Sequence, residues 1–224
     1  MDNHKIAAIV PALNEEKNIV NVINPLLSSG FFDEVIVVDD GSEDNTAKIS
    51  RQAGVKVISL TQKGGSGKGN AMRAGVGSTD ADIIAFFDAD LVGLNSFHIA
   101  SIINPVKTGK AEMCVGVRER FLGLPGLIAK TDPIFAIGGE RTLKRSLFTA
   151  LPDRFMRGFA VELAINYYCV IKKISVRYTI LKKLKIIIKE KKWGLIRGLF
   201  SRAIEVWQIA KTRLTISFYK NEFI

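Results

Sequence analysis

Short apolar runs that stop at polar turns, with helical stretches between them, fill the chain to about residue 90. That alternation is the strongest constraint on what the chain can fold into. Residues 6–10 read as a first strand. Val35, Ile36, Val37 and Val38 form a continuous β-branched run, as a strand buried on both faces requires. Residues 55–60 read as a third strand and residues 82–90 as a fourth. Helices are expected between them. The first follows the turn at 11–18, with Asn14 as N-cap and Glu15 and Glu16 in its first turn. The second is capped by Asp44 or Asn45 and runs to about Ala53, and the third covers about 70–75. Strands alternating with helices imply an α/β fold: a mostly parallel central sheet flanked by helices, with right-handed crossovers.

Three polar clusters then end three strands on one rim: Asn14 with Glu15, Asp39 with Asp40, and Asp88 with Asp90. Ligands of open α/β sheets bind beyond the carboxyl ends of the strands. With the fourth strand running to residue 90, Asp88 and Asp90 project to one side of the sheet. Paired hard oxygens suit Mg²⁺ or Mn²⁺, and such a metal typically brings a diphosphate with it. Taken singly, Asp39 and Asp40 also fit ordinary turn residues, and Glu15 fits a surface charge near a helix start. Their convergence beside a glycine-rich loop, Gly64 and Gly65 through Gly67, Lys68 and Gly69, favours a ligand site. That loop departs from the triphosphate-binding P-loop pattern, because no Ser or Thr follows Lys68 and position 62 is Gln62.

On residues 10–19, 35–46, 67–71 and 87–91, in that order, the chain resembles the family-2 glycosyltransferases. The likeness is clear over about 5–120 and thinner to about 170. It implies a single nucleotide-sugar-binding domain of glycosyltransferase A type. It also implies transfer of one sugar from a nucleoside-diphosphate sugar, with Mg²⁺ or Mn²⁺ as cofactor. By that resemblance Pro11, Ala12 and Glu15 lie along the nucleoside, with Glu15 on the ribose hydroxyls. Asp40, with Asp39 beside it, reads the base edge. An ionised carboxylate only accepts hydrogen bonds, so UDP and GDP both stay open. Asp88 and Asp90 hold the metal on the donor diphosphate, Asp90 as the more direct ligand. Lys68 reaches toward the nucleotide or its phosphates; a solvated loop lysine is the other reading. The Gln-x-x-Arg-Trp signature of processive synthases is absent, which argues for single-sugar transfer. Some relatives add a histidine ligand late in the chain. Here the histidines are His4 and His98, and His98 reads as a surface or packing residue.

Downstream, residues 112–120 read as a further strand. Residues 121–139, rich in Gly and Pro, read as a binding loop or lid. A helix is expected to open at 138–145. The resemblance puts a small-residue turn here against sugar and acceptor, making Gly138, Gly139, Glu140 and Arg141 acceptor-binding candidates, with helix-surface charge equally open for Arg141 and Arg145. Glu162 precedes an apolar helix at 163–170. Its position matches an acidic residue near the acceptor, with the task of general base for an acceptor hydroxyl. A first-turn glutamate that only favours the helix dipole is the alternative.

Charge is unevenly spread. Residues 172–224 hold 14 Lys and Arg against 3 acidic residues, while the rest holds 18 against 19, so the formal net charge of +10 sits at the C-terminal end. Residues 174–180 alternate as a strand. Leu195, Leu199, Ala203, Val206, Ala210 and Leu214 then recur at helical spacing, behind a cationic stretch at 182–192. We therefore expect a catalytic domain over 1–180, with a nucleotide-binding half to about 120 and an acceptor half beyond it. A basic amphipathic C-terminal extension follows over 181–224. That extension suits an anionic membrane surface and hence a lipid-linked acceptor such as a polyprenyl phosphate. Packing on the sheet or a homo-oligomer contact is the alternative. Nucleic acid is not an expected partner, since no recognised module accompanies the charge. Cys114 and Cys169 lie in apolar contexts without metal-ligand spacing, no signal peptide is visible, and no apolar run approaches the ~20 residues of a spanning helix. A cytoplasmic protein, peripheral on the inner membrane face, is the expectation. Two other readings keep the fold: the same donor chemistry with a small soluble acceptor such as a phosphoglycerate, and a catalytically silent membrane- or partner-binding module.

Overall fold

The computed structural model describes residues 4–62, 64–118, 138–155, 160–186 and 215. In chain order its main elements are β1 (Ile6–Ala12), α1 (Ile19–Ser28), β2 (Glu34–Asp39), α2 (Thr46–Gln52), β3 (Lys56–Ser59), α3 (Lys68–Gly77), β4 (Ile83–Phe86) and β5 (Leu91–Val92), then α4 (Ser96–Lys107), β6 (Met113–Arg118), β7 (Arg141–Lys144), α5 (Arg145–Thr149), α6 (Ala160–Ile171), β8 (Val176–Leu181) and β9 (Lys185–Ile186). Seven strands make the central sheet in the order β3-β2-β1-β4-β7-β6-β8. All run parallel except β7, which is antiparallel to both β4 and β6. The mostly parallel, helix-flanked sheet expected from the sequence is the one observed.

Strand alternation sorts the core into two layers. Ala7, Ile9, Ile36, Val38, Ile84 and Phe86 face one side, under α3, α5 and α6. Ile6, Ala8, Val10, Val37, Ile83 and Ala85 face the other, under α1 and α4. Both faces are covered, which is why β2 reads as an unbroken β-branched run. Helix α3 comes closest to the sheet at Gly75, where a Cβ would lie 2.5 Å from Ile9 Cγ2 and 3.1 Å from Val38 Cγ2. Leu181 and Leu184 still pack in the α4 layer, and β9 pairs with β5. His98 is a packing residue, 4% exposed, and its Nε2 donates to the Lys182 carbonyl at 2.8 Å. Among the described residues no helix is long and apolar enough to cross a membrane.

Three local expectations are corrected. Helix α1 begins at Ile19 with Asn18 at the N-cap, not at Asn14. Asn14 instead takes a positive φ of 55° and its Oδ1 accepts from the Glu43 amide at 2.9 Å. Thus Asn14, Glu15 and Glu16 hold the first rim loop to the second: Thr46 Oγ1 accepts from the Glu15 amide, and Glu16 Oε2 accepts from Asn45. The fourth strand stops at Phe86, because the chain turns after Ala89 to give β5, so Asp88 and Asp90 lie in a turn beyond the strand and their side of the sheet is not set by strand alternation. The helix expected at 138–145 is largely strand β7, completing the ladder between β4 and β6, and only α5 beyond it is helical. Residues 121–137, 187–192 and the stripe from Leu195 to Leu214 lie outside the described residues.

The close approach at Gly75 gives a paired test. Gly75→Ala overpacks the α3–sheet contact and should cost about 1–3 kcal/mol. Gly77, at the exposed end of the same helix with nothing within 4 Å of where a methyl would stand, should tolerate alanine and gain up to ~1 kcal/mol. Urea unfolding of the two variants should move the midpoint in opposite directions.

Candidate active site

The parallel strands β1, β2 and β4 bring the first two polar loops and the Asp88 turn to one rim. Register fixes the first two side by side: Ala12 pairs with Asp39, and the Asp40 amide donates to the Ala12 carbonyl at 2.8 Å. Pro11 is partly exposed and Ala12 is buried. Glu15 is 8% exposed, and its Oε2 accepts from Asn18 Nδ2 at 2.9 Å. Asp39 Oδ1 accepts from the Ser42 amide at 3.3 Å.

Asp40 shapes the glycine-rich loop. Its Oδ1 accepts from the Ser66 amide at 2.8 Å and the Ser66 hydroxyl at 2.6 Å, and its Oδ2 accepts from the Gly67 amide at 2.9 Å. Gly65, at φ 95°, lies so close that a Cβ would stand 3.1 Å from Asp40 Oδ2. The loop therefore folds onto the carboxylate just past the end of β2, directly ahead of the start of α3. The first residue of α3 is Lys68.

Lys68 enters an ionic cluster largely shielded from solvent. Its Nζ donates to Asp88 Oδ1 at 2.6 Å and to Glu162 Oε1 at 2.6 Å. Glu162, in the first turn of α6, is 2% exposed. Beneath it lies Arg141, with no exposed surface: Nη2 is 3.6 Å from Glu162 Oε2 and donates to the Gly138 carbonyl at 2.8 Å, and Nη1 donates to Asn166 Oδ1 at 3.3 Å. Arg141 shares the β7 face of Leu143, which places it in the α6 layer. The surface-charge alternative for Arg141 is thereby overturned. Neither is Lys68 a solvated loop lysine. Removing one partner from so buried a pair as Glu162–Arg141 leaves an uncompensated charge, at a cost of about 3–5 kcal/mol.

From the opposite face comes Arg118, a residue the sequence did not single out. It ends β6 on the parity of Cys114, in the other core layer. Its Nη1 is 3.7 Å from Asp88 Oδ2 and 3.0 Å from Glu140 Oε1. The one available signal was its place as a charged residue ending an apolar strand. Gly138 and Gly139 make room for this arrangement. A Cβ on Gly139 would overlap the Asp88 carboxylate, and one on Gly138 would lie 2.5 Å from the Gly116 carbonyl oxygen.

Burial works against ionising Asp88, but Lys68 and Arg118 hold its carboxyl below the usual carboxylate range. Burial also opposes charge on Lys68, and Asp88 and Glu162 overcome it and raise the ammonium above its ordinary value. Glu140 is fully buried, with no partner for Oε2 among the described residues, and burial pushes its pKa up to about 7 despite Arg118. Asp90, partly exposed, carries the same field that helps raise Arg118. Ser66 of the glycine-rich loop joins Leu60, Thr61, Gln62, Asn70 and Arg73 in lining an open cleft of about 490 Å³.

A model of the family described as glycosyl transferase family 2 matches residues 7–166. Glucosyl-3-phosphoglycerate synthase of Mycobacterium tuberculosis (strain ATCC 25618 / H37Rv) is 30% identical over 193 residues, covering 71% of this chain and 59% of that protein. The chain thus spans 59% of the length of that curated relative. The UDP-N-acetylglucosamine–dolichyl-phosphate N-acetylglucosaminyltransferase of Methanococcus voltae is 36% identical over 167 residues, covering 62% of this chain and 65% of its own. A crystal structure of the M. tuberculosis synthase with Mn²⁺, UDP-glucose and phosphoglyceric acid superposes with a TM-score of 0.69 at 26% identity, over 89% of this chain and 80% of that one.

Glu140 gives this site a pH signature. Its folded pKa, about 7, lies above the ordinary 4.5, so the folded chain binds that proton more tightly than the unfolded one. The penalty is fully present above pH 7 and is relieved as pH falls toward 4.5. Asp88 acts with the opposite sign and only below its ordinary 3.8, outside that window. Glu140→Gln should flatten the stability–pH profile between 4.5 and 7, read as melting temperature across buffers. An unaltered slope would show that Glu140 does not titrate there.

Proposed function

The chain belongs to glycosyl transferase family 2, and from that premise we propose that it is a metal-dependent glycosyltransferase moving one sugar from a UDP-sugar to a small, soluble, phosphate-bearing acceptor of the phosphoglycerate type. The observation that carries the reading is the Asp88 carboxylate, held ionised at the carboxyl rim by Lys68 and Arg118 and 2.6 Å from the lysine that also binds Glu162. The mycobacterial relatives, crystallised with Mn²⁺, UDP-glucose and phosphoglyceric acid, support the donor and acceptor classes.

The residues present fit a divalent cation bound together with its donor. Asp88 and Asp90 offer hard oxygens. Among the described residues no group of three or more His, Cys, Asp or Glu forms a self-sufficient metal cage. One or two carboxylates completed by substrate phosphates is the usual arrangement for Mg²⁺. When bound, the ion neutralises charge developing on the departing diphosphate.

The chain's own groups divide the remaining work. Pro11, Ala12 and Glu15 line the nucleoside, with Glu15 on the ribose. Asp40, with Asp39 beside it, lies at the base edge and also holds the glycine-rich loop there through Ser66 and Gly67. Lys68 faces the diphosphate. Gly139 keeps the backbone flush with Asp88 so that sugar and acceptor can approach, with Gly138 beside it; Glu140 and Arg141, expected at the acceptor, are buried and instead hold that turn through Arg118 and the Gly138 carbonyl. Glu162 is the general base that accepts the acceptor hydroxyl's proton as the glycosidic bond forms.

A second reading replaces the soluble acceptor with a polyprenyl phosphate at a membrane surface. The M. voltae relative and the concentration of positive charge in residues 172–224 favour it. Both acceptors carry a phosphate.

Thermal shift separates these readings from a silent module. UDP or UDP-sugar at 100 times its Kd should stabilise the chain by about 2.7 kcal/mol in Mn²⁺. The shift should be much smaller without metal and with GDP, and Asp90→Ala should abolish the metal dependence. Sugar transfer to phosphoglycerate supports the first reading, and transfer only to polyprenyl phosphate in vesicles supports the second. Absence of any nucleotide shift overturns both.

A further inference from the structure

Lys68 occupies one of the two Asp88 carboxylate oxygens that a metal held there would use. Its Nζ is 2.6 Å from Asp88 Oδ1 and 2.6 Å from Glu162 Oε1. It is the first residue of α3, where the helix dipole disfavours a cation, so the two carboxylates must offset that placement. The other Asp88 oxygen faces Arg118 at 3.7 Å. A divalent ion and an ammonium crowded onto one partly shielded carboxylate repel each other. One of the two cations has to withdraw. Arg118 is anchored by Glu140 at 3.0 Å and lies largely buried. Lys68 ends a flexible four-carbon stem with a compact charge, and 18% of its side chain reaches solvent. Arg141 faces the other Glu162 oxygen, Oε2, at 3.6 Å, so it does not depend on Lys68 for that contact.

Resting on the metal-dependent reading above, we propose that Lys68 is a resident counter-ion displaced by the donor. Without a donor it neutralises Asp88 and Glu162 together. The donor's diphosphate draws Lys68 off both, which opens Asp88 to the metal and Glu162 Oε1 to the acceptor. Two properties arise from that exchange. Metal by itself binds poorly, because it competes with a tethered ammonium. Glu162 Oε1 becomes available only once Lys68 has left it.

The test uses the whole 224-residue chain and two probes, Mn²⁺ alone and UDP in saturating Mn²⁺. Free Mn²⁺ is followed by its electron paramagnetic resonance signal and UDP by calorimetry. Lys68→Met keeps the length of the side chain and removes its charge. We expect this variant to bind Mn²⁺ alone about tenfold more tightly than wild type, and UDP in Mn²⁺ about tenfold more weakly. A merely structural lysine would weaken both together. Mn²⁺-only affinity that is unchanged or lower in Lys68→Met overturns the proposal. If that variant fails to fold, Lys68→Gln, which removes the charge but keeps a hydrogen-bond donor beside Asp88 and Glu162, must show the same gain in Mn²⁺-only affinity. The wild-type arm reports on the underlying reading separately: no metal-dependent UDP binding there rejects metal dependence itself, before any variant is compared.

Discussion

One carboxylate is clamped between cations that belong to opposite sides of the sheet. Lys68 reaches Asp88 from the layer that contains α3 and α6, and Arg118 reaches it from the layer that contains α4. Each cation is paired a second time within its own layer, Lys68 with Glu162 and Arg118 with Glu140. The sheet's two hydrophobic layers are thus tied at the rim by charge. Such a group gains little net stability from its ion pairs, because desolvating the charges offsets most of their attraction.

Apolar residues carry the fold and ionic residues carry the site, and the two sets share the same strands. Ile84 and Phe86 pack the core just before the chain delivers Asp88. Leu143 packs the core and Arg141, two residues earlier on the same face, lies under Glu162. A small change in strand register would therefore be felt first in the ionic cluster, where distances near 2.6 Å leave no slack.

The sheet was legible in the sequence wherever a strand is buried on both faces, since β2 and β4 had to be runs of Val, Ile, Ala and Phe. The rim carboxylates were legible for the same reason: Asp40 and Asp88 interrupt those runs abruptly. β7 was not. Its sequence, Arg-Thr-Leu-Lys, looks like a charged helix start, and only the vacant position between β4 and β6 makes it a strand. The burial of Arg141 was equally invisible, because Glu162, Asn166 and the Gly138 carbonyl that accommodate it are brought in by tertiary structure. Arg118 went unnoticed because a basic residue at a strand end is usually solvated, and its partners come from other elements of the fold.

The reversed direction of β7 has an architectural effect. In an otherwise parallel sheet the rim collects the segment after each strand, yet a reversed strand delivers there the segment before it. Arg118, leaving β6, and Gly138, entering β7, accordingly meet at the same mouth, with the Gly116 amide bonded to the Glu140 carbonyl between them. Whatever length or composition the intervening stretch has, it departs from and returns to a single doorway. The two ends of that stretch are held together by sheet hydrogen bonds, at the same rim that carries Asp88.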